Sequence, residues 1–376
     1  MKVAIFIDDF SATGVVTNAV AIARALDARG MQVRLIATQA EGPLIEDVPP
    51  AVSIVGLLPD NNSGSSRRGR LRRSLAAFRK QLRLFSPDVL FSAGNHGHLA
   101  SVLVSRALPG CRTIVRISND LDHMIGGKPS RPFSRWWRVA KFRAVAAVAD
   151  KLVFVSRHLA RSRAVSGTAA VAKAVVIPNG VDVESIRRRA AESCPHRWCG
   201  EARSTPLVLG VGRLALQKNF INLVRAVAIA RRSHDLRLLL VGSGPLKKEL
   251  LQEAAELGIA DAVEIIPPVR NPLPYIAQAS VLALPSWWEG SSNVLLEALA
   301  CETPVVASRT AGNAEDVLDY GRYGLLVEPD DPEGMAAALL VQCSNEVQLP
   351  GDRASHFSRE SMLDAYAELI AEQAAA

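Results

Sequence analysis

The sequence predicts an α/β protein of two Rossmann-like, doubly wound domains facing a cleft. Three observations carry that expectation. Short apolar runs alternate with helix-period amphipathic stretches along the chain, the pattern of parallel sheets covered by helices. The alternation restarts after a polar, charged stretch at 183–205, which reads as a connection between domains. At 376 residues the chain is also long for a single hydrophobic core. The expected domains are 1–182, 183–357 and a closing helix in 358–376.

Composition narrows the class. Hydrophobic content of 49% with 22% charged residues describes a globular chain. There is no apolar run of about eighteen residues, and Asp8 and Asp9 follow the first apolar run too soon for a signal peptide. A cytoplasmic protein is expected. Five cysteines at uneven spacing do not make a disulfide framework. Cys194, His196 and Cys199 offer three metal-ligand side chains without a fourth nearby, so Cys194 and Cys199 read as linker cysteines.

In the first half, residues 2–7 form a strand, and a helix follows the turn at 8–14 and runs to about Leu26, with Val16, Val20, Ala23 and Leu26 on one face. Residues 32–37 are the next strand, giving a βαβ unit. Its turn lacks the Gly-x-Gly-x-x-Gly of a dinucleotide site, which argues against a nicotinamide enzyme and leaves Gly14 as a point of close phosphate approach. Residues 61–86 contain no acidic side chain but carry Arg67, Arg68, Arg70, Arg72, Arg73, Arg79, Lys80 and Arg83. Leu71, Leu75, Phe78, Leu82 and Phe85 recur at helical spacing, so this is a basic amphipathic helix. Strands at 88–93 and 113–118 end at Asn95, His96 and His98 and at Asn119 and Asp120. Ligands gather at the carboxyl ends of parallel strands, which makes these residues candidate acceptor contacts. The histidine pair, without a nearby carboxylate, reads as loop hydrogen-bonding more than as metal ligation. A second acid-free segment contains Arg135, Trp136, Trp137 and Arg138. Arginine beside tryptophan suits the boundary of water and lipid headgroups, so both segments point to an anionic membrane surface. Nothing matches a nucleic-acid-binding fold. Strands at 151–156 and 174–178 complete the first sheet.

The second half repeats the alternation, with strands at 207–212, 236–241, 263–266 and 280–284 and a helix at 222–230. A closing helix at 359–372 has Met362, Tyr366 and Leu369 on one face. The chemistry concentrates after 280–284, where a polar turn holding Glu289, Gly290, Ser291 and Ser292 leads into an apolar-periodic helix. Ser291 or Ser292 supplies the N-cap. The amides of Asn293, Val294 and Leu295 then face a point outside the strand end, where the helix dipole favours a phosphate. A carboxylate accepts two hydrogen bonds from a vicinal diol. A sugar nucleotide therefore fits, with diphosphate on the amides, ribose on Glu297 and the transferred sugar on Glu289. Arg213 and Lys218, beyond the strand ending at Gly212, are placed to meet leaving-group charge.

The Glu289 to Glu297 spacing, with Gly312-Asn313-Ala314-Glu315 after it, resembles the Glu-x7-Glu signature of family-4 retaining glycosyltransferases with the GT-B fold. Gly212-Arg213-Leu214 with Gln217-Lys218-Asn219, Val241-Gly242-Ser243-Gly244-Pro245 and Pro178-Asn179-Gly180-Val181-Asp182 occur in the family's order. The resemblance implies Arg213, Lys218 and Glu289 as catalytic residues. It adds Gly212, Gly242, Val269 and Arg270 to the donor site, the last two beside the base. It also implies a nucleotide-sugar donor, taken as UDP-linked, a lipid-linked or glycan acceptor, and a closing helix in 358–376 that crosses back to the first domain. No cofactor is expected, and the absence of an Asp-x-Asp motif at a strand end argues against a required metal. Where many members carry a histidine at a strand end, this chain has Ser118-Asn119. Two competing classes use the same architecture: a sugar-nucleotide epimerase, revealed by donor turnover without acceptor, and a catalytically silent binding subunit, which would not need these four charged residues.

Overall fold

The computed structural model describes residues 1–58, 67–94, 96–120, 132–162, 164–199, 205–344 and 349–376, and leaves aside the side chains of 67–68 and 132–135. The described residues fall into two compact units. The first comprises those within 1–120, 132–178 and 360–376, the second those within 179–359.

The first unit is built on seven parallel strands: β1 (Lys2–Ile7), β2 (Gln32–Ala37), β3 (Ser53–Gly56), β4 (Val89–Ser92), β5 (Arg112–Ile117), β6 (Lys151–Phe154) and β7 (Ala174–Val176). Their order is β3-β2-β1-β4-β5-β6-β7. Ile5 stands opposite both Leu35 and Phe91, so three wholly buried apolar side chains line one row of the sheet. Such runs are apolar on both faces because helices cover both. One cover is the helix Arg67–Phe85, which buries Phe78 and Leu82 and stacks Phe78 on Phe6 at 4.5 Å. Another is the last helix, Arg359–Ala375, whose buried Tyr366 meets the Phe91 ring edge-on at 5.5 Å.

The second unit has six parallel strands: β8 (Leu207–Val211), β9 (Arg237–Val241), β10 (Val263–Ile266), β11 (Val281–Leu284), β12 (Val305–Ser308) and β13 (Leu325–Val327), in the order β10-β9-β8-β11-β12-β13. The sequence reading places none of β3, β12 and β13; β12 is a wholly buried inner strand of only four residues, whereas β3 and β13 lie at sheet edges. The two edge strands have no fully buried residue, so they lack the apolar run that marks an inner strand.

In each sheet the strand order reverses at one point, between β1 and β4 and between β8 and β11. Neighbouring connections leave in opposite directions there and open a crevice at the carboxyl ends. In the second unit those ends carry Gly212-Arg213 and Ser286–Glu289.

The stretch 183–205 is expected as a connection, but its described residues, 183–199 and 205, are part of the second unit. Asp182 caps the helix Val183–Ala190 by accepting the Ser185 N–H at 2.9 Å, and Ile186 and Trp198 enter the core. Part of its charged composition is the helix's solvent face, where Arg187, Arg188 and Arg189 stand. Cys194 and Cys199 are joined as a disulfide, which corrects the reading of both as unpaired linker cysteines.

Candidate active site

The turns after β8 and β9 touch closely. A Cβ on Gly242 would lie 1.9 Å from the Gly212 carbonyl oxygen, and one on Gly212, at φ +145°, 2.8 Å from the Lys218 Cε. Both glycines are therefore demanded by the fold before any ligand is considered. The chain then makes a short 3-10 turn, Leu216–Lys218, stitched to the loop after β11. The Gln217 side-chain Nε2 donates to the Trp288 carbonyl at 3.0 Å, and the Gln217 backbone carbonyl accepts the Trp287 N–H at 2.9 Å. This stitching brings Lys218 Nζ to 2.7 Å from Glu289 Oε1, with both side chains largely buried. Ser286 Oγ donates to the same oxygen at 2.9 Å. Gly312, at φ +64°, seals the other side, since a Cβ there would meet the Glu289 Cβ at 2.8 Å.

The helix Asn293–Ala300 starts at Ser292, as the capping expectation requires, but no serine hydroxyl caps it. The Ser292 N–H donates instead to Asn313 Oδ1 at 2.9 Å, and Ser291 Oγ is buried without a hydrogen-bond partner among the described residues. Asn179 Nδ2 donates to Asn293 Oδ1 at 2.8 Å and fixes the first helical residue. With no acidic side chain in its first turn, the helix offers uncompensated amides at Asn293, Val294 and Leu295. Glu297 lies one turn further on. Burial raises its pKa, and the positive charge of Arg189 partly opposes that rise. It is a carboxylate held in poor solvent with no strong partner.

Arg213 is exposed and makes no ion pair among the described residues. Val269 is half-buried in the core and Arg270 exposed beyond β10. Gly290 is half-buried, before the helix. All these lie in the second unit. In the first, Gly14 is the exposed first residue of the helix Gly14–Ala28. His96 is exposed, Asn119 and Asp120 are half-buried beyond β5, and Asn95 lies outside the described residues. His98 is not an acceptor contact. It is 4% exposed, its Nδ1 2.8 Å from Ser92 Oγ and its Nε2 3.0 Å from the Arg116 carbonyl, and burial drives its pKa down to about 3.

Arg70, expected at a membrane face, turns inward with 15% side-chain exposure, 3.8 Å from Asp8. Arg72 and Arg73 are exposed, Arg138 is half-buried, and the Arg135 side chain lies outside the described residues. Trp136 and Trp137 are 59% and 56% exposed and meet edge-to-face at 5.0 Å.

Asn179, Asn313, Ser286 and Gln217 hold the site together, yet sequence reading assigns them no role. Three of the four stand in the quoted motifs, which was the available signal.

Two family models match. Residues 12–185 match the one described as Glycosyltransferase Family 4, and residues 205–345 the one described as Glycosyl transferases group 1. A D-inositol 3-phosphate glycosyltransferase of Corynebacterium jeikeium is 31% identical over 347 residues, covering 85% of this chain and 80% of that protein. An N-acetylgalactosamine-N,N'-diacetylbacillosaminyl-diphospho-undecaprenol 4-alpha-N-acetylgalactosaminyltransferase of Campylobacter jejuni is 36% identical over 174 residues, covering 46% of this chain and 45% of that protein. The chain spans about half the length of this and other curated relatives it matches. Among solved structures, sucrose-phosphate synthase from Thermosynechococcus elongatus superposes with a TM-score of 0.75 at 20% identity, over 99% of this chain and 98% of that one, a likeness of fold.

Proposed function

The chain belongs to the family-4 glycosyltransferases of GT-B fold, and on that premise we propose that it moves a hexosyl or N-acetylhexosaminyl group from a UDP-linked sugar to a lipid-linked saccharide or glycan, with retention of configuration. The reaction would serve cell-envelope polysaccharide or glycolipid assembly. The observation that carries the proposal is the buried Lys218–Glu289 pair beside the open amides of the helix Asn293–Ala300. The N-acetylgalactosaminyl transfer named for the Campylobacter relative supports the amino-sugar reading.

In this reading the donor diphosphate lies on the amides of Asn293, Val294 and Leu295, the ribose diol on Glu297 and hydroxyls of the transferred sugar on Glu289. As the bond from the anomeric carbon to phosphate breaks, charge grows on the leaving oxygens, and the Lys218 ammonium and Arg213 guanidinium stabilise it. Lys218 is already desolvated and fixed, so little reorganisation is needed at that moment. The acceptor hydroxyl attacks from the face the phosphate is leaving and gives its proton to that phosphate. A radiolabelled transfer assay with UDP-sugars and GDP-mannose, followed by NMR of the new anomeric linkage, tests the reading. Transfer from GDP-mannose alone would exclude the UDP donor, and an inverted linkage would exclude retention.

We propose further that the first unit docks on an anionic leaflet, on the inner face of the cell membrane, to meet its acceptor. The helices Arg67–Phe85, His98–Ser105 and Pro132–Val148 lie side by side. They expose Arg72, Arg79, Lys80 and Arg83 together with Leu84, Leu103, Trp136 and Trp137. No helix among the described residues is long and apolar enough to cross a membrane. Each basic side chain near such a leaflet contributes about 1 kcal/mol. Phosphatidylglycerol vesicles should therefore sediment with the protein at low salt, and replacing Arg72, Arg79, Lys80 and Arg83 together should release it. Equal binding to neutral vesicles would refute the docking.

A further inference from the structure

One helix of the second unit grips two separate parts of the donor side. The helix Val183–Ala190 ends in three arginines, and two of them reach in different directions. Arg187 Nε donates to the Ala300 carbonyl at 3.1 Å and its Nη2 pairs with Glu302 at 2.8 Å, which holds the carboxyl end of the helix Asn293–Ala300. Arg189 Nη2 donates instead to Asn271 Oδ1 at 3.2 Å, in the loop after β10.

Asn271 returns that contact. Its Nδ2 donates to the Arg189 carbonyl and to Glu192 Oε2, both at 2.9 Å, while its Oδ1 also accepts the Leu273 N–H at 3.3 Å. A backbone carbonyl and a carboxylate accept and the Leu273 N–H donates, so the amide can face only one way. One half-buried side chain thus ties the end of one helix to the start of the next, Leu273–Gln278. Val269 and Arg270 stand immediately before it.

The same segment grips β10 itself. Glu264 receives Arg197 at 2.9 Å and faces His196 at 3.3 Å. Arg189 makes no ion pair among the described residues, and its charge opposes the rise that burial imposes on the Glu297 pKa. The segment 187–197 therefore braces the loop at 269–271 on one side and the helix that bears Glu297 on the other.

On the donor placement proposed above, we propose that Asn271 is a positioning residue of the donor site, fixing the loop of Val269 and Arg270 relative to the amides of Asn293, Val294 and Leu295. A nucleotide engages both parts at once only if the spacing between them is held. A loop held before the ligand arrives need not be ordered by it, so the brace strengthens binding of the nucleoside half without touching the ligand.

Isothermal titration with UDP, GDP and inorganic pyrophosphate separates the two halves. Asn271→Ala is expected to weaken the nucleoside diphosphate that the wild type prefers about tenfold, the scale of one or two net hydrogen bonds. Pyrophosphate affinity should not change, and KM for the sugar nucleotide should rise without a fall in kcat. Arg189→Met, at an exposed side chain, removes one arm of the contact and should give the same pattern at smaller size. Unchanged nucleotide affinity in both variants would overturn the proposal, as would equal weakening of nucleotide and pyrophosphate, which a general loosening of the unit would cause. If the wild type bound neither nucleoside diphosphate more tightly than pyrophosphate, the donor placement would fall and the role of Asn271 with it.

Discussion

His98 in the first unit and Glu289 in the second are both buried, titratable and set just beyond a strand's carboxyl end, yet they are built for different purposes. Both ring nitrogens of His98 are engaged inside its own unit. The Arg116 carbonyl can only accept, so Nε2 carries the proton and Nδ1 accepts from Ser92 Oγ, which itself accepts from Ser101 Oγ at 3.1 Å. Nothing remains for a ligand, and burial keeps the ring neutral. Glu289 receives Lys218 and Ser286 on Oε1 alone, and Oε2 accepts no hydrogen bond among the described residues. Burial of an ionisable group is thus weak evidence of function. An unused lone pair beside a fixed cation is stronger evidence, because it stays open to a hydroxyl donor that a ligand can supply.

The comparison is broken most severely at Lys218. Lys218→Ala is expected to lower kcat about 10²–10³-fold with a smaller change in donor affinity, because leaving-group charge exists only in the transition state. A change confined to KM would remove Lys218 from that role. Activity should also survive a chelator, and restoration by Mg²⁺ after EDTA would assign the charge to a metal instead.

At His98 the expected effect is on acid stability. Its folded pKa of about 3 lies below the ordinary value of 6.5, so between those limits the unfolded chain binds a proton that the folded chain refuses. Stability contributed by the neutral ring is present above 6.5 and is lost as pH falls toward 3, at up to about 1.4 kcal/mol per pH unit. His98→Asn should flatten that slope in urea melts without changing donor affinity. An unaltered slope would show that other groups set the acid limit.

Glu297 should show both behaviours at smaller scale. Glu297→Ala is expected to weaken donor binding about tenfold through the ribose, affecting ground and transition states alike. Its folded pKa is raised, so ionisation opposes folding and its cost grows as pH rises from 4.5 through the folded value. Glu297→Gln should therefore raise the Tm of the ligand-free protein at neutral pH, and a lower Tm would mean the carboxylate is stabilised by groups other than Arg189.

The mildest test compares two left-handed glycines. Gly30→Ala, at φ +77° with no atom near the new Cβ, should cost about 1 kcal/mol of stability from backbone strain alone. Gly312→Ala should cost more and also lower kcat, because its Cβ would press on Glu289. Equal effects from the two on turnover would show that the Gly312 contact does not set the carboxylate's position.

The chain by itself determined what is local. The alternation of apolar runs with helical stretches named the inner strands other than β12, and the turn from 285 into the helix at 293 placed two glutamates and a row of amides at one strand end. Periodicity and helix-end chemistry act over a few residues, so they leave a trace that can be read. Tertiary structure decided the rest. Asn179 meets Asn293 across 114 residues and Arg116 Nε meets the Tyr366 hydroxyl across 250, contacts with no local signature. It also decided that an asparagine from a distant loop, not a serine hydroxyl, receives the amide at the helix start, and that Arg70 turns in toward Asp8. Cys194 and Cys199 became a pair in a loop closed on itself by the Cys199 N–H on the His196 carbonyl at 2.9 Å, a turn with no periodic pattern to announce it. Each outcome depends on which side chains burial brings together, and burial is a property of the assembled unit.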